Sequence, residues 1–96
     1  MESSQAIDAL AALSQQTRLE AFRLLIKAGS PRMQAGDIAN ALGVRQNTIS
    51  ANLNILLRSG LVRNEREGRA VRYYADFDGI RGLSRFPDGG LLRRPF

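Results

Sequence analysis

The sequence contains no cysteine and no histidine. Without thiols the chain can hold no disulfide, no zinc knuckle and no cysteine nucleophile, and without imidazoles it lacks the commonest general base and metal ligand. No apolar stretch approaches the roughly 18 residues that a membrane span needs, and the polar first residues lack the basic charge of a signal peptide. We therefore expect a cytoplasmic protein that is not an enzyme, does not associate with membranes and holds no cofactor.

The chain of 96 residues is long enough for one domain with a small core. A partner subunit that covers further apolar surface would add stability, so a homodimer is the expected assembly. No repeat or linker divides residues 1–80. We expect one domain over residues 1–84, followed by an irregular tail over residues 85–96.

Basic charge is concentrated in the second half of the chain. Residues 1–44 carry four basic and four acidic side chains, whereas residues 45–96 carry ten arginines and five acidic residues, which accounts for the whole net charge of +5. Thirteen of the fourteen cations are arginine, whose planar fork suits phosphate oxygens and guanine edges. This uneven distribution favours nucleic-acid binding over a surface charged for solubility alone.

Apolar periodicity predicts three helices in the neutral half. Ser4 is a candidate N-cap for the first, and Ser14 for the second, which should end at Gly29 before Pro31. The third should run from about residue 37 to 42 and end at Gly43. The apolar positions of the first helix spread over two faces, so we expect it to be buried on two sides. The apolar positions are Ala6, Ile7, Ala9, Leu10 and Leu13 in the first helix, Leu19, Phe22, Leu25 and Ile26 in the second, and Ile38, Ala39 and Leu42 in the third.

A fourth helix and a hairpin are predicted in the basic half. Over residues 46–59, Ile49, Leu53 and Leu56 recur on one face, and Gly60 ends the helix. Alternation over residues 62–66, a turn at residues 67–68 and a returning strand then indicate a β-hairpin. The fold class is therefore mostly α with a small β-hairpin. The opposite face of the fourth helix is polar yet nearly uncharged, with Asn47, Ser50, Ala51, Asn54 and Arg58, and the returning strand has Val71, Tyr73 and Ala75 on one face.

Two helices joined by a tight turn and followed by an arginine-rich hairpin form a winged helix-turn-helix. Ala39 is small where the helices cross, and Gly43 permits the turn. The second helix then presents short polar side chains to a DNA major groove about 12 Å wide.

The ordered motifs resemble the ArsR/SmtB family of bacterial metalloregulatory repressors over roughly residues 6–80. The resemblance implies a homodimeric winged helix-turn-helix repressor that binds an inverted repeat in double-stranded DNA and leaves it when an effector binds. The motifs are Leu13-Ser14-Gln15-Gln16-Thr17-Arg18-Leu19, Gly36-Asp37-Ile38-Ala39, Leu42-Gly43-Val44, Gln46-Asn47-Thr48-Ile49-Ser50, Ser59-Gly60-Leu61-Val62, Arg66-Glu67-Gly68-Arg69 and Tyr73-Tyr74.

The resemblance also assigns roles to residues. Asn52 stands where many members have His, and we expect this change to alter base preference. Arg18, Tyr73 and Tyr74 are interpreted as structural. The alternative to base reading is that the amides on the fourth helix are ordinary surface residues. The alternative to DNA contact by the hairpin arginines is a solvated edge whose charge prevents aggregation. Among the predicted DNA-binding residues, Gln46, Asn47, Thr48, Ser50 and Ala51 match the family's DNA-reading stretch. Arg45 stands where many members have Ser or Pro and adds a cation beside the phosphate backbone. The remaining predicted residues follow from the helix face and the hairpin, and they are Asn54, Arg66, Arg69 and Arg72.

Family members sense metals through Cys or Asp/His sets, and this chain departs from that pattern. Asp76 and Asp78 without His would make a weak site for hard metals, and Asp76 serves equally well as a helix N-cap. Dimer contacts are expected from the first helix and from Phe77, Ile80 and Leu83.

The tail breaks the last helix where the family carries a long dimer-forming helix. With one choice of codons, dropping a single nucleotide from residues 85–96 yields Asp-Phe-Leu-Met-Glu-Asp-Cys-Cys-Gly-Gly-Pro, whose Cys pair is similar to that of arsenic-responsive members. We interpret the tail as frameshifted. The chain itself would then lack the C-terminal cysteines that As(III) requires, and its expected target is a metalloid-resistance operon.

An alternative is a winged-helix module for protein contact or nonspecific nucleic-acid binding. Nonspecific binders usually carry Lys and Arg on the outer face of the second helix, and residues 46–54 carry none. The pattern therefore favours a sequence-specific transcriptional repressor.

Overall fold

The computed structural model describes residues 3–28 and 32–84, and these residues form five helices and a small sheet. The predicted mostly helical fold with a β-hairpin is confirmed, and a short third strand is added. Gly29, Pro31 and the tail over residues 85–96 lie outside the described residues. In chain order the elements are α1 (Ser3–Leu13), α2 (Gln16–Ala28), β1 (Met33–Gln34), α3 (Ala35–Leu42), α4 (Gln46–Ser59), β2 (Val62–Glu67), β3 (Ala70–Ala75) and α5 (Phe77–Ser84).

The core is built around α4. Its predicted inward stripe of Ile49, Leu53 and Leu56 is fully buried, and α1, α2 and α3 all contact this helix. No helix in the described residues is long and apolar enough to cross a membrane. The buried apolar residues are Ala6, Ala9, Ala12, Ala21, Phe22, Leu25, Ile38, Ala39, Ile49, Leu53, Leu56, Leu61, Val62 and Ala75.

Two predicted N-caps are wrong. Ser3 is already helical, so Ser4 lies inside the first turn of α1. The Ser14 hydroxyl donates to the carbonyl of Ala11 at 2.6 Å, and it therefore closes α1 instead of opening α2. Gln15 caps α2, because its Oε1 accepts the backbone amide of Arg18 at 2.9 Å.

Helix α3 begins at Ala35, two residues before the predicted start. The Asp37 carboxylate accepts the backbone amide of Gln34 at 3.2 Å, and an acidic side chain in this position stabilises a helix start. The prediction for its end is confirmed, since Gly43 adopts a left-handed φ of 69° that favours glycine.

The sheet has the antiparallel order β1-β3-β2. Glu67 pairs with Ala70, which leaves a two-residue turn whose first residue, Gly68, has φ 61°. Strand β1 is only two residues long and pairs Met33 with Tyr73, so no alternation in its sequence could have predicted it.

Helix α1 buries one face and leaves the other exposed in a single chain. Alanines form its buried side, whereas Ile7 is 64% and Leu10 37% exposed. The expectation of burial on two sides is therefore wrong for one chain. In α2, Leu19 and Ile26 are also exposed, so the predicted inward positions of this helix are confirmed only for Phe22 and Leu25.

Helix α5 is attached to the end of α4 through a close backbone contact. Asp76 Oδ1 accepts the backbone amides of Asp78 at 3.0 Å and Gly79 at 3.3 Å, so the N-cap alternative for Asp76 is confirmed. A Cβ on Gly79 would overlap the carbonyl oxygen of Gly60. This contact therefore requires glycine.

We predict that Gly79→Ala lowers the free energy of unfolding by about 1 to 3 kcal/mol, because the backbone of α5 must move away from Gly60. A Gly→Ala change inside a helix normally stabilises by about 1 kcal/mol. Gly36→Ala is the control, since its Cβ would meet only the end of the Gln46 side chain at 3.4 Å, and it should be neutral or stabilising. Urea unfolding of both variants measures the difference, and equal effects would contradict the prediction.

Candidate nucleic-acid interface

The outward face of α4 carries the residues predicted to read DNA. Asn47, Ala51 and Asn54 form one exposed stripe along the helix. Gln46 and Thr48 are exposed beside this stripe. Ser50 is half-buried at its edge. The structure thus places all six side chains on the side of α4 that faces away from the core.

The start of α4 leaves its first amides without a side-chain cap. Arg45 holds the N-cap position in an extended conformation, and its side chain makes no capping bond. Uncapped N–H groups beside a cation suit a phosphate oxygen. Gln46 lies along the first turn of α3, because its Oε1 would be 3.4 Å from a Cβ on Gly36.

The hairpin divides its arginines between two faces. Arg66 pairs with Val71 in the register, on the face whose Tyr73 packs against the core. Arg69 lies in the turn. Both arginines are exposed, and no carboxylate of the described residues forms an ion pair with either one. Their charge is therefore available at the tip of the wing.

Arg72 lies on the opposite face and is differently placed. It is half-buried, its Nε donates to Glu67 Oε1 at 3.0 Å, and its Nη1 donates to the carbonyl of Arg32 at 3.5 Å. The structure therefore brings Arg66 and Arg69 together at the wing tip and separates Arg72 from them. A DNA contact by Arg72 stays a prediction, and the structure shows that its side chain already bonds Glu67 and the backbone of Arg32.

Arg32 packs on the same face of the hairpin, and no sequence pattern indicates this role. Its guanidinium stacks on the Tyr74 ring at 3.8 Å from the centroid, and it forms an ion pair with Glu65. Tyr74 thus packs against an arginine while Tyr73 packs against the core. Both tyrosines have structural contacts, as expected.

Asn52 lies on the buried side of α4 and not on its exposed face, and the effect of this residue on base preference stays a prediction. Asn52 is only 8% exposed, and its Oδ1 accepts a hydrogen bond from Arg18 Nη1 at 3.1 Å. Its Nδ2 donates to the carbonyl of Thr48 at 3.0 Å. The side chain therefore faces α1 and α2 and cannot touch a base.

Asp76 fixes the base of the hairpin. Partial burial alone would raise the pKa of its carboxyl, but the bond from Arg63 Nε at 2.8 Å and the amides of Gly79 and Asp78 outweigh burial and hold the pKa below its ordinary value. The same contact raises the pKa of Arg63. Asp78 instead forms an ion pair with Arg81, so arginines engage both carboxylates of the weak metal site that the sequence allows.

A helix pair with a tight turn, an exposed polar second helix and an arginine-bearing hairpin define a winged helix-turn-helix DNA-binding domain. A family model described as a helix-turn-helix domain matches residues 13–65. An ArsR-like transcriptional regulator from Rhodococcus sp. RHA1 is 32% identical, with a TM-score of 0.76 over 85% of this chain and 74% of that one. The chain therefore belongs to the ArsR-like family of winged helix-turn-helix regulators.

Two further solved structures are similar. The homodimeric winged helix-turn-helix DNA-binding domain of a possible ArsR-family regulator from Mycobacterium bovis is 32% identical, with a TM-score of 0.73 over 84% of this chain and 73% of that one. A possible transcriptional regulator for arsenical resistance is 27% identical, with a TM-score of 0.72 over 84% and 81%. No curated protein matches the chain.

We predict that Asp76→Ala lowers the free energy of unfolding at neutral pH by about 1 to 2 kcal/mol, through loss of the cap and the ion pair. Because the folded-state pKa of Asp76 is lowered, its contribution is complete above the unfolded pKa of about 3.9 and disappears as the pH falls through the folded value. The difference from the unsubstituted chain should therefore shrink in acid.

Urea unfolding at several pH values between neutral and strongly acidic measures this difference. Asp76→Asn is the matched control, because it keeps an oxygen that can cap α5 and loses only the charge. It should cost less than Asp76→Ala. A difference that does not change with pH would contradict the assignment.

Proposed function

We propose that the chain is a sequence-specific transcriptional repressor that binds, as a homodimer in the cytoplasm, to an inverted-repeat operator in double-stranded DNA. The observation that carries this proposal is the outward face of α4, which is polar, uncharged over residues 46–54 and exposed. A helix with this face fits the major groove and can distinguish base edges.

The side chains of α4 suit different base contacts. The amides of Gln46, Asn47 and Asn54 can each donate and accept, which matches the N6 and N7 edge of adenine. The hydroxyls of Thr48 and Ser50 can bond bases or phosphates, and the methyl group of Ala51 suits the thymine methyl.

Arginines supply the contacts that do not depend on sequence. Arg45 lies at the start of α4 beside uncapped amides, and Arg66 and Arg69 lie exposed at the wing tip. Their charge suits phosphates or a narrow minor groove. Arg72 is the weaker member of the predicted set, because Glu67 already binds its guanidinium.

The dimer is supported by apolar side chains that a single chain leaves uncovered. Ile7 and Leu10 are exposed on α1, and Phe77 is 49% exposed on α5. The related domain from Mycobacterium bovis is homodimeric. Two-fold symmetry in the protein calls for two-fold symmetry in its operator. Ile80 is half-buried against the core, and the side chain of Leu83 lies outside the described part of the chain.

A metalloid-resistance operon is the proposed target. The likeness to a possible regulator for arsenical resistance supports it. This chain has no cysteine, and trivalent arsenic prefers thiolates over carboxylates and amides. The chain therefore represses without responding to arsenite, in keeping with a frameshifted tail.

We predict that the Gln46→Ala/Asn47→Ala double variant and Arg69→Ala affect DNA binding differently. A duplex selected by the unsubstituted chain from random sequences serves as the operator, and a scrambled duplex as the reference. The double variant should lose about 1 to 3 kcal/mol per base contact on the operator only. Arg69→Ala should weaken both duplexes alike and reduce the salt slope by about one.

Arg23→Ala is the matched control for charge, because Arg23 is exposed on α2 and does not belong to the proposed set of DNA-binding residues. It should leave the affinities for both duplexes nearly unchanged. Equal losses on operator and scrambled duplex in the double variant would refute base reading by α4 and favour a nonspecific or protein-binding module.

We predict that arsenite does not release this chain from its operator, because no thiolate is present to bind it. A version whose tail follows the shifted reading frame regains two adjacent thiols and should respond. Titration of arsenite onto both complexes, followed by fluorescence anisotropy, measures release. The prediction would be contradicted if arsenite released the thiol-free chain at concentrations that leave an unrelated DNA-binding protein bound.

A further inference from the structure

Arg18 bridges three helices on the side of α4 opposite its exposed polar face. Its Nε donates to the carbonyl of Ala12 in the last turn of α1 at 2.7 Å. Its Nη1 donates to Oδ1 of Asn52 in α4 at 3.1 Å. Arg18 itself belongs to the first turn of α2. One guanidinium therefore ties the end of α1 and the start of α2 to the middle of α4.

The bridge continues to the proposed reading residues. Asn52 donates from Nδ2 to the carbonyl of Thr48 at 3.0 Å, one turn closer to the start of α4. Thr48 is exposed within the stretch that would contact bases. The hydrogen bonds thus run without a gap from α1 to the turn of α4 that carries Gln46, Asn47 and Thr48.

Apolar packing alone fixes the rotation of α4 against α1 poorly. The buried side of α1 consists of alanines, whose contacts are small and have no preferred direction. A groove of about 380 Å³ also opens between α1 and the second half of α4, with Ala12, Arg18 and Ile55 in its lining. Hydrogen bonds depend on angle as well as distance, so the Arg18 bridge can set an orientation that this packing cannot.

We propose that Arg18 is a positioning residue for base recognition, acting through Asn52 to hold the first two turns of α4 in the orientation that reads the operator. The proposal rests on the function proposed above, in which α4 reads bases. Phosphate contacts from the wing do not depend on this bridge. Loss of Arg18 should therefore lower sequence preference more than overall affinity.

The test compares Arg18→Gln, Asn52→Leu and their combination with Arg23→Gln, which makes the same change on the exposed side of α2. The preference for the selected operator over its scrambled duplex should fall about fivefold to tenfold in each single variant. The scrambled duplex should be bound with less than about a twofold change, since its binding is mostly electrostatic. The combination should lose little more than either single variant, because both remove one bridge. Arg23→Gln should retain full preference.

Hydrogen exchange of the α4 backbone gives a readout that needs no DNA. The hydrogen-bonded amides of the second turn, from Ile49 onward, should exchange several-fold faster in Arg18→Gln and remain unchanged in Arg23→Gln. Should Arg18→Gln fail to fold, Arg18→Lys keeps the charge but cannot reach both acceptors with a planar fork. It should give an intermediate preference.

Three results would overturn the proposal. These are full operator preference in folded Arg18→Gln, additive losses in the combination, or unchanged exchange of the hydrogen-bonded amides in the second turn of α4. The function proposed above fails separately, when the Gln46→Ala/Asn47→Ala variant keeps its preference. Loss of preference in that variant together with full preference in Arg18→Gln would refute the positioning role alone.

Discussion

The whole arrangement depends on the burial of one apolar stripe. Ile49, Leu53 and Leu56 are removed completely from solvent beneath α1, α2 and α3. Each buried side chain of this size stabilises the fold by about 1.5 to 3 kcal/mol. Since a helix has a fixed period, burying this stripe turns the opposite, polar face of α4 outward, while its finer rotation against α1 is left to polar contacts. The core therefore selects the surface of α4 that meets a partner.

The hairpin carries two kinds of arginine, those paired with other side chains and those left exposed. They are separated because successive side chains of a strand point to opposite faces. On its outer face, Arg63, Arg72 and the adjoining Arg32 pair with carboxylates or stack on Tyr74. These surface contacts are individually weak, but they join neighbouring strands. At the tip, Arg66 and Arg69 have no such engagement among the described residues. Among the described residues of the hairpin, the uncompensated positive charge thus lies at the tip.

Much of this could be predicted from the sequence, because apolar periodicity and the glycines that end helices and form turns act locally. The inner stripe of α4, the glycine caps at Gly43 and Gly60, and the hairpin follow from patterns within a few residues. The features that were predicted wrongly depend on contacts between residues distant in the chain. Nothing near Asn52 in sequence indicates that Arg18 will meet it, and a polar residue at that position looks like surface.

The predictions of helix starts were wrong for a related reason. Ser14 has the composition of an N-cap, yet its hydroxyl bonds backward to α1, and Gln15 takes the capping position. Several residues near a helix start can satisfy the same amides, and propensity does not decide among them. The exposure of Ile7 could not be predicted either. The sequence shows that this side chain is apolar, but it does not show whether the same chain or another copy covers it.

Strand β1 also makes the helix-turn-helix and the wing interdependent during folding. The pairing of Met33 with Tyr73 closes a loop of about 40 residues that contains α3, α4 and β2. The β2–β3 ribbon can form by local contacts, but β1 can join it only after the intervening helices have compacted, since loop closure costs chain entropy. Opening the sheet at β1 would release the start of α3 as well. The enclosed segment should therefore unfold as one cooperative unit, and DNA bound to either part would slow the opening of both.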